Sequence, residues 1–249
     1  MVHVFHDLLK ETPTGFSIIY VDPPWEYRRK AGQGVIRDYD CMSMDELRAL
    51  PVQDLGRKDS CVLMWTTGPF LPDAIELLKA WGYPYRTSFC TWVKVCKKGK
   101  PILNPGCYTR ANAEFLLMGI RKGAHMCRYV RLHNIPNIHL SNRTGRHSEK
   151  PAAIRETINA LFGDLPRCEL FARARSTGWV VWGNQLPPVS DSKTTETKRR
   201  RAQNSFADIM EKEIRLPCAK RRKLASTPLV PDISRHRPFA VDTTHSTTM

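Results

Sequence analysis

Over the first 185 residues, short apolar runs alternate with segments of helical periodicity, and after that the pattern stops. Phe16-Ser17-Ile18-Ile19-Tyr20-Val21 is apolar at all but one position, which predicts a strand buried on both faces. Ser43 to about Leu50 reads as a helix, and Ser60 to Thr66 as a second strand. Pro72 to Trp81 reads as a helix with Ile75, Leu77 and Leu78 turned inward. Strands follow at Arg86 to Val95 and at Glu114 to Ile120. Pro151 to Phe162 carries Ile154, Ile158, Leu161 and Phe162 at helical spacing, with Pro151 in the first turn, where its missing N–H is tolerated. Cys168 to Ala172 and Gly178 to Trp182 close the series as strands. Strand–helix alternation of this kind predicts an α/β fold: a mostly parallel sheet with helices on both faces.

Beyond Gln185 the composition shifts to Pro, Ser, Thr and charge, while all 6 Trp and all 7 Tyr lie before it. The expected organisation is a folded domain over 1–185 and a basic, mainly disordered tail over 186–249. One stretch of the tail, Phe206, Ile209, Met210 and Ile214, has helical spacing, but three turns in isolation are marginal without a partner. Two basic clusters, Lys198 to Arg201 and Lys220 to Lys223, fit a nuclear import signal or a nucleic-acid tether.

Composition narrows the classes further. The chain has 249 residues, a formal net charge of +15 and 41% hydrophobic residues, enough for a real core and too many for a wholly disordered chain. It has no run of 18 apolar residues and no apolar secretory core near Met1, so a soluble intracellular protein is expected, with no membrane contact. Both parts are basic: the tail holds 13 Lys+Arg against 7 Asp+Glu, and the first 185 residues hold 26 against 17. That balance suits a phosphate-bearing partner. The 8 Cys contain no C-x-x-C pair, so reduced thiols are the default. Cys127, His133 and His139 recur every six residues, which fits no common zinc spacing, and no metal is expected.

The chemistry concentrates at Asp22-Pro23-Pro24-Trp25, directly after the first strand. In open α/β sheets ligands sit beyond the carboxyl ends of strands. Two prolines remove two backbone donors and leave carbonyls as acceptors, and an ionised Asp22 adds another. Asp22 and the Pro23 carbonyl together suit the two N–H donors of a base amino group, and Trp25 offers a face for an unstacked base. The bland reading is a turn with a packing Trp, and four residues alone do not choose between the two. Basic residues flank the region: Lys94, Lys97, Lys98, Lys100 and Arg110 before the Glu114 strand, then Arg121, Lys122, Arg128, Arg131, Arg143 and Arg146 after it. Tyr108 and Tyr129 are interleaved as stacking partners, and the group suits phosphate contact.

With its neighbours, Asp22-Pro23-Pro24-Trp25 resembles the amino-group methyltransferase motif of the MT-A70 family of N6-adenine methyltransferases. Tyr39-Asp40-Cys41-Met42-Ser43 is similar to a family segment. So, in order, are Leu63-Met64-Trp65, Trp81-Gly82-Tyr83, Trp92-Val93-Lys94, Glu114-Phe115-Leu116-Leu117, His147 through Pro151, Glu169-Leu170-Phe171-Ala172-Arg173 and Gly183-Asn184-Gln185. The resemblance implies a Rossmann-like methyltransferase fold in permuted order, with the cofactor strand late. Gly32-Gln33-Gly34, which follows no strand, then reads as a flexible loop. It implies S-adenosylmethionine as cofactor, held by Asp22, Lys150, Glu169, Phe171, Arg173, Asn184 and Gln185. The implied catalytic residues are Asp22, Pro23, Pro24 and Trp25, and the implied substrate contacts are Trp25, Tyr39, Glu114 and Lys150, to which the reading of the basic loop adds Lys97, Lys98 and Arg110.

Arg175 departs from the family, where His is frequent, and gets a weaker role. The chain begins 21 residues before Asp22, so a cofactor-contacting segment present upstream in longer members is expected to be abbreviated or supplied elsewhere. An Asp first and a Trp last match the adenine form of the motif rather than Ser-Pro-Pro-Tyr (cytosine) or Asn-Pro-Pro-Tyr (protein glutamine). The expected activity is direct methyl transfer to adenine N6 in nucleic acid, DNA ahead of RNA, in a nuclear protein. The alternative is a non-catalytic nucleic-acid-binding subunit paired with an MT-A70-like partner.

Overall fold

A computed structural model describes residues 5–26, 41–104, 108–142 and 149–187, all of them within one unit, Met1–Pro188. Tyr39, the Gly32-Gln33-Gly34 loop, Arg143, Arg146, His147, both basic clusters and the Phe206–Ile214 stripe lie outside the described residues.

The elements follow in the order α1 (His6–Glu11), β1 (Phe16–Val21), α2 (Met44–Arg48), α3 (Val52–Leu55), β2 (Gly56–Thr66), α4 (Leu71–Ala80), β3 (Tyr85–Lys94), β4 (Ala113–Ile120), β5 (Ile138–Ser141), α5 (Ala152–Phe162), β6 (Arg167–Leu170) and β7 (Val180–Trp182). Short 3-10 turns occur at Gly68–Phe70 and Met126–Tyr129. The seven strands form one sheet in the order β5-β3-β4-β2-β1-β6-β7. β1 pairs parallel with β2 and β6, β6 with β7, and β3 with β5. β4 runs antiparallel between β2 and β3. The expected α/β class and mostly parallel sheet are therefore present.

Two apolar layers sandwich the sheet. Ile19, Val21, Val62, Met64 and Leu170 pack with Leu8, Leu47, Val52, Leu55, Leu77 and Leu78 of α1 to α4. Ile18, Tyr20, Cys61, Leu63, Trp65 and Leu116 pack with Ile154, Ile158 and Phe162 of α5. Alternate residues of β1 and β2 serve opposite layers, which is why these strands read as continuous apolar runs. α2 starts one residue later than the sequence suggests because Ser43 is its cap. The Ser43 hydroxyl accepts from Glu46 N–H, and the Glu46 carboxylate accepts from Ser43 N–H, a capping box. Trp81 Nε1–H donates to Leu47 O at 2.8 Å and ties α4 to α2.

Several elements differ from expectation, each for a local reason. α1, α3 and β5 are only six, four and four residues long, below the span over which periodicity speaks. Ile75 lies at the rim of the core, and Ala74 takes the buried position on α4 beside Leu77 and Leu78. β6 ends at Leu170 rather than Ala172 because Phe171 turns out of the strand at φ 60°. β4 runs antiparallel to β3, and among the described residues between them there is no crossover helix.

Gly119 in β4 lies close against α4 and the turn that follows it. A Cβ there would lie 2.3 Å from the Tyr83 carbonyl oxygen and 3.0 Å from Leu78 Cδ2. Backbone cannot yield as a flexible side chain does, so Gly119→Ala is expected to destabilise the protein by about 1–3 kcal/mol. A lowered thermal midpoint by circular dichroism checks this, and an unchanged midpoint contradicts it.

Candidate active site at the carboxyl ends of β1 and β6

The connection from β1 leads to β2 on one side, and that from β6 to β7 on the other, so the topological switch point lies between β1 and β6. Asp22 follows β1 there, and Phe171-Ala172-Arg173 follow β6. The neighbouring β7 delivers Gly183-Asn184-Gln185 to the same edge.

The Asp22 turn is held by packing. Trp25 N–H donates to Pro23 O at 2.9 Å, and Met42 N–H to Pro24 O at 3.0 Å. The indole of Trp25 is 6% exposed, lies parallel to Phe70 with ring centroids 5.5 Å apart, and donates its Nε1–H to Trp65 O at 3.2 Å. Trp25 is thus packed into the turn and not held open to solvent, as burial of so large an apolar ring favours. The Pro23 carbonyl keeps its second lone pair, so its expected acceptor role is compatible with the turn bond.

A chain of alternating charges runs from Asp22. Lys150, just before α5, places Nζ 2.6 Å from Asp22 Oδ2 and 3.4 Å from Glu114 Oε2, and 5.8 Å from the centre of the Trp65 ring. Lys94, at the end of β3, pairs with Glu114 Oε1. Lys94, expected among the surface phosphate contacts, is instead drawn in to neutralise Glu114, with its ammonium 4.8 Å from the Trp92 ring centre. Burial raises the Asp22 carboxyl above the ordinary aspartate value, outweighing the pull of Lys150 and Arg173. Burial opposes ionisation of Glu114 too, but Lys150 and Lys94 beside it hold its carboxyl below the ordinary range. Lys150 is pushed up by Asp22 and Glu114 against the opposing effect of burial.

The second loop carries the remaining expected residues. Phe171 is the one described non-glycine residue with positive φ, and its ring meets Trp182 edge-on at 5.4 Å. Such backbone strain clusters at ligand sites. Ala172 N–H donates to Trp182 O at 2.9 Å, and a Cβ on Gly183 would lie 2.3 Å from Ala172 O, so glycine is required where the two loops close. Arg173 acts electrostatically on Asp22, joining the two loops into one site. Asn184 is exposed and Gln185 half-buried just beyond. Glu169 lies buried in β6, and its two oxygens accept from Arg155 of α5, from Nε at 2.7 Å and from Nη2 at 2.5 Å. A strand carboxylate in that setting requires a fixed cation.

Sequence reasoning missed Arg155. It also lies 5.6 Å from the centre of the Tyr20 ring, whose hydroxyl accepts from Trp65 Nε1–H at 2.6 Å. Its only signal is its place next to Ile154 on the amphipathic α5. Lys97, Lys98 and Arg110 are exposed on the segment between β3 and β4 and are not brought to Asp22. Cys127 is exposed and His139 lies on β5, and among the described residues no group of three or more such side chains converges.

An open α/β sheet with an acidic Pro-Pro-Trp turn at its switch point and an amide-bearing loop beside it defines the Rossmann-like methyltransferase class. Residues 16–185 match the MT-A70 family, and the chain belongs to it. It is 34% identical over 191 residues to the Type II methyltransferase M.MunI of Mycoplasma sp, covering 69% of this chain and 78% of that protein. It is 29% identical to the N6-methyladenosine RNA methyltransferase MTA1 of Pyricularia oryzae, covering 72% and 49%, and 26% identical to the N(6)-adenine-specific methyltransferase METTL4 of Mus musculus, covering 69% and 37%. The chain thus spans about half or less of these two longer relatives.

The charge chain makes a testable demand. Replacing Lys150 by Met leaves Asp22 and Glu114 without their shared cation, and breaking such a buried pair typically costs about 3–5 kcal/mol. The Asp22 carboxyl, already raised, should titrate at still higher pH, because loss of a neighbouring positive charge favours its neutral form. Carboxyl-carbon NMR titration of the wild type and Lys150→Met checks the direction. An Asp22 midpoint unmoved by the substitution contradicts the pairing.

Proposed function

We propose that this chain transfers a methyl group from S-adenosylmethionine to adenine N6 in nucleic acid. The observation that carries the reading is Asp22, half-buried at the switch point and paired with the buried Lys150, in an intact Asp22-Pro23-Pro24-Trp25 turn. Adenine N6 is a weak nucleophile because its lone pair is spread into the ring. The Asp22 carboxylate and the Pro23 carbonyl accept from its two N–H groups and favour localisation of that lone pair as the new bond forms. Lys150 orients Asp22, and Trp25 holds the turn against Phe70. S-adenosylmethionine, when bound, would supply an electrophilic sulfonium methyl and leave as the thioether S-adenosylhomocysteine, while the proton lost from N6 passes to solvent.

The donor set suits that cofactor. In this reading Asp22 and Lys150 would meet its amino-acid end, Arg173, Asn184 and Gln185 its ribose, and Phe171 would give an aromatic contact. Glu169 serves this pocket through Arg155, fixing the strand from which Phe171 turns. Asp22 works as the carboxylate. Because burial raises its pKa, activity is expected to fall with decreasing pH earlier than for an ordinary aspartate.

In this proposal DNA is put ahead of RNA. The second reading is a non-catalytic subunit working with an MT-A70-like partner. A 30% identity over 112 residues to the non-catalytic subunit MTB of Arabidopsis thaliana supports it. The intact Asp22 turn favours catalysis. We also propose a nuclear protein whose tail, 186–249, carries the import signal in its two basic clusters.

Methyl transfer to matched single- and double-stranded DNA and RNA tests the activity and ranks the substrates. Asp22→Ala is expected to cut transfer by about 100-fold or more while leaving the fold and most cofactor binding intact. Asn184→Ala with Gln185→Ala should do the reverse in calorimetry, weakening cofactor more than oligonucleotide. Near-normal turnover by Asp22→Ala overturns the catalytic reading, and equal loss of both ligands in the double variant overturns the cofactor assignment.

Truncation at residue 189 tests the tail. The shortened protein is expected to fold, because all Trp and Tyr lie before it, and to redistribute to the cytosol in cells. Alanine replacement of both basic clusters should reproduce the redistribution. Retained nuclear location would instead make the tail a substrate tether, with weaker and less salt-sensitive binding after truncation.

A further inference from the structure

Between the end of β3 and the start of β4 the chain builds a small arm. Val95 and Pro101 form an antiparallel bridge, and the turn between them is closed by Cys96 N–H donating to Lys100 O at 2.8 Å. Gly99 takes φ 76° in this turn, which presents Lys97, Lys98 and Lys100 to solvent. A second bridge joins Asn104 to Ala111, with Asn104 N–H donating to Ala111 O at 3.2 Å. Tyr108 and Arg110 stand beyond it, and Tyr108 is fully exposed at 101%.

The arm is rooted in the sheet. Lys94 N–H donates to Asn112 O at 2.9 Å, Ile102 N–H to Lys94 O at 2.8 Å, and Val95 N–H to Ser141 O at 3.0 Å. Its root is therefore Lys94, whose side chain holds Glu114, which in turn shares Lys150 with Asp22. From Val95 to Asn112 there are four basic residues and no acidic one.

We infer that this arm grips nucleic acid beside the target base, with Tyr108 stacking on a neighbouring base while Lys97, Lys98, Lys100 and Arg110 hold the flanking phosphates. The inference rests on the reading of the chain as a nucleic-acid methyltransferase. Chemistry at adenine N6 requires the base to leave its stack, which opens the face of its neighbour. An exposed tyrosine ring is matched to that face, and because every base has one, the contact tolerates any flanking sequence. A fully exposed aromatic ring in a segment with four basic residues and no acidic one has the charge and the flat face that suit an anionic, ring-bearing partner.

Fluorescence anisotropy of the full chain with labelled 20-mer oligonucleotides, single- and double-stranded, at several salt concentrations tests the inference. Tyr108→Ala is expected to weaken binding on the order of tenfold with little change in salt dependence, and Tyr108→Trp to restore it. Lys97→Ala with Lys98→Ala should weaken binding and flatten the salt dependence by about two counterions. Cofactor calorimetry on each variant serves as the folding control. Wild-type affinity in Tyr108→Ala, or a loss that Trp does not restore, overturns the inference. Because binding is read without turnover, a wild type that binds oligonucleotides but methylates none would overturn the proposed activity and leave the arm supported.

Discussion

Lys150 is the point on which the site depends. Two carboxylates, Asp22 from β1 and Glu114 from β4, approach each other in a region with little water, and only a cation between them makes that tolerable. Lys150 sits there, with Lys94 supplying a second positive charge on the far side of Glu114. Four ionised groups of balanced sign are thereby held by three strands and the start of a helix. Because the cation is shared, any change that moves it alters both acids, so the orientation of Asp22 is coupled to the whole edge of the sheet rather than to its own turn.

The helix that follows Lys150 does a second, similar task. Arg155, one turn into α5, takes both oxygens of Glu169 in β6. The same helix therefore fixes one acid at the end of β1 and one within β6, the two strands that bracket the switch point. Its apolar face, Ile154, Ile158 and Phe162, packs on the sheet and sets the position from which both cations reach. Packing energy from one face of α5 thus supports the electrostatics of the other.

Rigid and open parts of the site are divided along the same line. Asp22, Trp25, Lys150 and Glu169 are locked by burial, ring stacking or ion pairs, whereas Asn184, Tyr108, Lys97, Lys98 and Arg110 are solvent-facing. A nucleic-acid methyltransferase profits from that division. The few atoms that touch the reacting amine need fixed geometry, and the surface that follows a long, variable polyanion needs reach and charge.

The α/β class, the long strands and the Asp22 turn were legible in the sequence because each is written locally: apolar runs mark buried strands, and consecutive prolines mark a turn without donors. The motifs around Glu114, Lys150 and Gly183 were recognisable one by one for the same reason. What the sequence could not show is which of them meet. Residues 128 positions apart, Asp22 and Lys150, become an ion pair, Lys94 leaves the basic surface for Glu114, Trp25 trades an open face for Phe70, and Glu169 is claimed by Arg155. A charged or aromatic side chain has the same composition whether it faces water or a partner. The choice is made by desolvation, which depends on what the fold places within a few ångströms, and only tertiary structure decides that.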